Sequence, residues 1–149
     1  MIKNKVIGMI GEEIACGYLE GIGHKIIDRN FMTKFGEIDI ISKDIDKTLV
    51  FSEVKTLNQS SLSIILFPES YPQFSTPIPE NPEEYTNLKP YIPEHNLTYR
   101  KINLFSKISQ WYANKHPDLS RNGYRLDAIA IELWDTGHTL RRYKNIHNT

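Results

Sequence analysis

Two short segments hold the residues of this 149-residue chain best suited to chemistry: Gly36-Glu37-Ile38-Asp39 and, with Glu53 fourteen residues past Asp39, Glu53-Val54-Lys55. Both read as strands. Ile38, Ile40 and Ile41 flank the acids of the first, and Leu49, Val50, Phe51 and Val54 surround the second. Residues two apart on a strand point to one face and lie about 6.6 Å apart. Glu37 therefore shares a face with Asp39, and Glu53 with Lys55. The polar stretch Lys43-Asp44-Ile45-Asp46-Lys47 between the segments suits a hairpin connection. Paired strands lie about 4.8 Å apart, so a suitable register brings three carboxylates and one ammonium into a single patch.

Clustered carboxylates repel one another unless a cation sits among them. Lys55 supplies one positive charge, and a hard divalent cation with oxygen ligands supplies the rest. Magnesium normally takes one or two protein carboxylates and completes its shell with waters and phosphate oxygens. Such a site is suited to phosphodiester hydrolysis, with a bound water as nucleophile, oriented or deprotonated with help from Lys55. The plainer reading is a two-stranded ribbon with an exposed, salt-bridged polar face. Apolar residues on the opposite face favour the site.

The elements that must position these residues follow from periodicity. Residues 3–21 read as a helix ended by Gly21 and Gly23, with Ile7, Ile10, Ile14 and Tyr18 as one apolar stripe. A second stripe, Gly8, Glu12, Ala15 and Leu19, has small residues that let the helix approach a sheet. Glu12 rides on it and Glu13 does not, which makes Glu12 a candidate site acid. A strand is expected over residues 24–32, then the two site strands, with a further short strand possible at Leu62–Phe67. Tyr99–Lys115 reads as a second helix, with Thr98 as N-cap and Pro117 just past its end. Arg125–Leu133 and Thr139–Ile146 read as a closing hairpin around Asp135-Thr136-Gly137. Arg125 and Asp127 share a face and are expected to pair, the alternative being a role beside the site. Trp111 and Trp134 are expected in the core. The second helix carries Arg100, Lys101, Lys107 and Lys115, which either contact phosphates or form a solvated cationic face.

Taken in order, Gly11-Glu12-x-x-Ala15, Leu19, Gly23, Arg29-Asn30, Gly36-Glu37-Ile38-Asp39 and Val50-Phe51-Ser52-Glu53-Val54-Lys55-Thr56 closely resemble the YraN family. That family belongs to the restriction-endonuclease-like, PD-(D/E)XK nuclease superfamily. Lys101 and Tyr124-Arg125-Leu126-Asp127-Ala128-Ile129 resemble its C-terminal signatures. The resemblance spans residues 8–57 and roughly 97–147. It implies an α/β fold with a restriction-endonuclease-like core, a central mixed β-sheet flanked by helices. It also implies that Asp39 and Glu53 are metal-binding acids and catalytic, that Lys55 is the catalytic lysine, and that Glu12 is the acid of the first helix. Glu37 and Lys101 are supporting residues, and Arg100, Lys101 and Lys107 are candidates for nucleic-acid contact. The similarity extends to archaeal Holliday-junction resolvases, a hint of branched DNA. The chain departs from the family pattern at Ser52, where an aliphatic residue is usual, at Leu57, where a basic one is common, and in a long insert. The first two leave the metal site untouched; the insert bears on substrate preference.

Composition fits one domain, residues 1–149, able to bury roughly 68–70% of its unfolded surface. With 40% apolar residues and no long apolar run, no membrane span is expected. A secretory signal pattern is not evident, so a cytoplasmic location is expected. The one cysteine, Cys16, has no disulfide partner and reads as a small buried helix residue. The histidines lack ligand spacing, and no serine-nucleophile motif or glycine-rich phosphate loop is visible. The insert, from about 58 to 95, holds seven of the eight prolines. Residues 68–95 carry five glutamates against Lys89, a net charge of −4. The whole chain is neutral, so the remainder is +4, mildly basic as nucleic-acid binding requires. The insert is expected to be a surface loop contacting a second protein or subunit, a homodimer included; the alternative is a flap over substrate. The chain thus reads as a magnesium-dependent endonuclease acting on DNA, manganese being able to substitute. The alternative is a nucleic-acid-binding module that keeps the fold without turnover. An intact Asp-Glu-Lys set argues against that, because clustered acids repel phosphate.

Overall fold

The computed structural model describes residues 2–58 and 99–146, with side chains for 5–58 and 100–146. The insert, the Leu62–Phe67 strand and the Thr98 cap lie outside the described residues. Helix α1 spans Ile2–Gly21, followed by strands β1 (Lys25–Thr33), β2 (Gly36–Lys43) and β3 (Leu49–Asn58). Helix α2 (Tyr99–Lys115) then leads to β4 (Tyr124–Trp134) and β5 (Gly137–Tyr143). The five strands form one sheet in the order β1-β2-β3-β4-β5. Every neighbouring pair is antiparallel except β3–β4, which is parallel over ten residue pairs from Leu49–Tyr124 to Asn58–Leu133. Parallel neighbours need a crossover rather than a tight turn, and α2 is part of it. Both halves of the chain thus join in one mixed sheet, and the fold is α/β with a restriction-endonuclease-like core.

One helix covers each face. On α1, Ala15, Tyr18 and Leu19 are fully or nearly fully buried against Ile40, Ile129, Ile131 and Leu133 of the sheet. Cys16 lies in the same cluster, and burial pushes its thiol up to about 11, which makes it an inert core residue. On α2, Ile102, Phe105, Ile108 and Tyr112 pack on Ile38, Phe51, Leu126 and Ala128. Phe51 and Phe31 each meet the edge of the Tyr112 ring, at 5.7 and 5.0 Å between centroids.

The close helix–sheet approach occurs one residue before Glu12. A Cβ at Gly11 would overlap the Thr56 side chain of β3, whereas Gly8 has open space around it. Of the stripe expected to approach the sheet, Ala15 and Leu19 do so, while Gly8 does not and Gly11 makes the tightest approach. Both tryptophans are also corrected. Trp111 is 51% exposed on the outer side of α2, and Trp134 is 39% exposed where β4 runs into its hairpin turn. Apolar area alone placed them inside; the positions they occupy face outward.

Candidate active site

The site forms where β2 and β3 part. Their ladder runs from Lys43–Leu49 to Ile40–Ser52 and ends there. Just beyond it, the Val54 amide donates to Asp39 Oδ2 at 2.7 Å. A carboxylate thus takes the place of a backbone acceptor, which a strand leaving its neighbour needs. Asp39 is only 5% exposed. Burial first, then the charge of Glu53, push its carboxyl up to about 8, against the pull of the Val54 amide; Glu12 and Glu37 add to the rise. A group held this way favours a proton or a metal cation over a bare charge.

Glu53 and Lys55, two apart on β3, meet directly: Lys55 Nζ lies 2.9 Å from Glu53 Oε1. Burial alone pulls the lysine down. The Glu53 carboxylate, with Asp39 and Glu37 behind it, outweighs that effect and holds the ammonium above the ordinary lysine value. Lys55 is therefore a charged donor in this state and not a base.

Glu12 enters from α1. Burial raises its carboxyl, a hydrogen bond with the Asn30 side chain lowers it, and the charges of Glu37 and Glu53 raise it. Asn30 has φ 52°, a left-handed conformation that asparagine tolerates better than most residues. Its neighbour Arg29 donates to Glu13 Oε2 at 3.0 Å on the exposed side. The Arg29-Asn30 pair thus ties β1 to both glutamates of α1. Sequence reasoning gave neither residue a role; the left-handed backbone that presents Asn30 has no signature in periodicity.

Glu37 is corrected in part. It is exposed while Asp39 is buried, although its charge still reaches the Asp39 carboxyl. Glu37 pairs with Met32 of β1, past the end of the β2–β3 ladder, and has no cross-strand neighbour there on β3. Among the described residues no three His, Cys, Asp or Glu side chains converge as a metal-ligand group, so the expected three-carboxylate patch does not form. What remains is an electrostatic neighbourhood of Glu12, Glu37, Asp39, Glu53 and Lys55, whose carboxylates and ammonium act on one another. Two carboxylates from adjacent strands, Asp39 and Glu53, match the share of a magnesium shell that protein usually provides.

Arg100, Lys101 and Lys107 are exposed. The leading charges on Glu12, Asp39 and Lys55 all come from α1, β1, β2 and β3. Lys107 lines a groove between α2 and the β1–β2 turn.

Arg125 and Asp127 do pair, inside a second ionic cluster. Arg125 Nε donates to Asp127 Oδ1 at 3.1 Å and its Nη2 to Asp44 Oδ2 at 2.8 Å. Asp127, fully buried, also accepts from the Asn145 amide at 3.0 Å and lies 3.5 Å from Arg142 Nε. His24 Nε2 lies 3.4 Å from Asp44 Oδ1, and its Nδ1 contacts Ser42 Oγ at 3.0 Å. Burial pulls this histidine down to about 4, so it is neutral near pH 7.

A mixed sheet clasped by two helices, with an Asp-Glu-Lys set where two strands diverge, defines a protein with a restriction-endonuclease-like core. The chain belongs to the family described as "Uncharacterised protein family UPF0102", whose model matches residues 11–70, the stretch that carries the site. It is similar to a UPF0102 protein of Alkaliphilus oremlandii, 53% identical over 144 residues, covering 95% of this chain and 97% of that one. A UPF0102 protein of Clostridium botulinum is 33% identical over 144 residues, covering 95% and 94% respectively. One of Desulforamulus reducens is 26% identical over 147 residues, covering 99% and 97%. Among the described residues no helix is long and apolar enough to cross a membrane.

Proposed function

We propose that this chain is a magnesium-dependent endonuclease that hydrolyses phosphodiester bonds in DNA, with manganese able to substitute. The observation that supports this reading best is the buried Asp39 carboxylate, crowded by Glu53 at the strand fork and raised in pKa as a result. Burial there penalises the ionised carboxyl, and a divalent cation in place of the proton relieves that penalty. Asp39 and Glu53 would hold the ion. When bound, it supplies polarisation of the phosphate and activation of a water.

The chain's own residues do the remainder. Lys55, kept protonated by Glu53, donates a hydrogen bond to a phosphate oxygen and offsets the negative charge that develops in hydrolysis. Glu12, fixed by Asn30, offers an acceptor for the attacking water. Val54 holds the Asp39 carboxylate in one orientation through its amide.

The test is a cleavage panel of labelled linear, flapped, branched and single-stranded DNA and RNA with magnesium or manganese. Asp39→Asn and Glu53→Gln remove an anionic ligand at nearly constant volume, and each is expected to abolish cleavage while the fold persists. Wild type and both variants cutting equally in a contaminant-free assay would overturn the assignment.

A further inference from the structure

The surface beside the acid site differs from the rest of the molecule. The β1–β2 turn, residues 31–35, and α2 enclose a groove of about 750 Å³ lined by Phe31, Met32, Phe35, Leu104, Lys107 and Trp111, among others. Several of its apolar groups face solvent: Phe35 is 65% exposed, Met32 71% and Trp111 51%. The groove is also cationic. Lys34 and Lys107 line it and Lys115 stands over the Trp111 ring, while residues 31–35 and 99–115 hold no Asp or Glu. The chain as a whole is neutral.

Aromatic rings and cations alternate here. Lys34 Nζ lies 5.1 Å from the Phe35 ring centroid and Lys115 Nζ 6.0 Å from that of Trp111. Trp111 in turn stacks on Phe31 at 6.1 Å, which steadies the platform. The groove is joined to the candidate site through the chain, because Phe35 is followed by Gly36 at the start of β2, the strand that carries Asp39. Gly36 faces Ile108 and Leu104 of α2, with its backbone at φ 152°. A side chain there would press on α2.

We propose that this groove seats unpaired bases of the nucleic-acid strand that passes to the Asp39–Glu53 site, so that the enzyme takes single-stranded or locally opened DNA rather than intact duplex. The proposal rests on the endonuclease reading for what happens at the site, but base seating is a separate property. Aromatic faces bind any base, and flanking lysines bind the phosphates between bases; a duplex keeps its bases stacked inside and cannot use the rings. An apolar partner without negative charge would set Lys34 and Lys107, which line the groove, against apolar surface.

The experiment uses the full chain in EDTA, so that cutting plays no part. A fluorescein-labelled oligothymidylate of about 12 nucleotides and a blunt duplex of equal length are titrated by anisotropy. Phe35→Ala and Trp111→Ala are each expected to weaken oligothymidylate binding by about tenfold, the loss of one stacked base, and to change duplex binding little. Thermal melts show that each variant is folded; Phe35, the more exposed, is the safer change. In a Trp134→Phe background, oligothymidylate is expected to quench the emission of Trp111. Unchanged emission together with equal binding by wild type and Phe35→Ala overturns the proposal. The same result follows if the chain's own acidic 68–95 stretch or a second copy fills the groove. The two readings fail separately. Cleavage lost in Asp39→Asn with the aromatic variants binding like wild type sinks base seating alone. Oligothymidylate binding that depends on Phe35, without cleavage by wild type, sinks the nuclease reading alone.

Discussion

The sheet carries two ionic clusters built from the same residue types, and they are charged in opposite ways. Around Asp39, four carboxyl groups (Glu12, Glu37, Asp39, Glu53) act on one another and outnumber the cations that reach them, Lys55 and, at Glu12, Arg29, an imbalance that favours a proton on Asp39. Around Asp127, two carboxylates (Asp44, Asp127) face two guanidinium groups (Arg125, Arg142), and His24 stays neutral. The second cluster is balanced in charge by its own members and ties β4, β5 and the β2–β3 connection together. The first is satisfied only when something from outside supplies positive charge. Burial is common to both, so burial does not separate a structural cluster from a functional one; charge balance does.

The largest expected effect tests the balanced cluster. Asp127→Ala leaves Arg125 and Arg142 without a buried counter-ion and is expected to cost about 3–5 kcal/mol of folding stability. Denaturant unfolding checks this; a loss below about 1 kcal/mol would mean that water solvates the cluster. Next in size, Lys55→Ala is expected to slow cleavage by on the order of a hundredfold, the loss of a charged donor at a developing negative charge, with metal binding retained. If the variant instead fails to fold, the lysine is structural and the contrast between the two clusters is lost.

A smaller effect runs in opposite directions with pH. Asp39 keeps its proton up to about pH 8 when folded but has an ordinary carboxyl value of 3.8 when unfolded. The folded state therefore binds more protons between those values, and the metal-free protein loses stability as pH rises through that window. Asp39→Asn removes this loss and is expected to stabilise the metal-free protein at pH 8 by at least ~1 kcal/mol. For His24 the sign is reversed. Its folded value of about 4 lies below the ordinary 6.5, so the unfolded chain takes up the proton and stability falls as pH drops from 6.5 toward 4. Melts of wild type, Asp39→Asn and His24→Gln from pH 4 to 8.5 resolve the two limbs. Identical profiles for all three would remove the contrast. The smallest effect concerns Ser52, fully buried on β3 with a hydroxyl that makes no hydrogen bond. Ser52→Ala is expected to add roughly 1 kcal/mol in the same melts without altering cleavage.

Much of the architecture was legible before the structure. The helix of Tyr99–Lys115 has the expected bounds, the β2–β3 hairpin follows its polar connection, and α1 and β1 lie within one residue of expectation. The pairing of Arg125 with Asp127 came from simple alternation. Other features depend on three-dimensional accidents that alternation does not encode. Beyond the end of the β2–β3 ladder, Asp39 is buried with its carboxylate on the Val54 amide while Glu37 stays exposed. Asn30 reaches Glu12 because its backbone turns left-handed. Asp44, read as part of a turn, becomes the hinge of the balanced cluster only when Arg125 arrives from 81 residues away.

The hydrogen bond from Val54 to Asp39 has a spectroscopic consequence. Most amides of β3 report on their strand neighbours, but this proton is held by the carboxylate at the centre of the candidate site. Its chemical shift and isotope-exchange rate follow the charge on Asp39. Titrating acid or a divalent cation into the labelled protein therefore moves one assigned resonance, and the occupancy of the site can be followed without substrate or turnover.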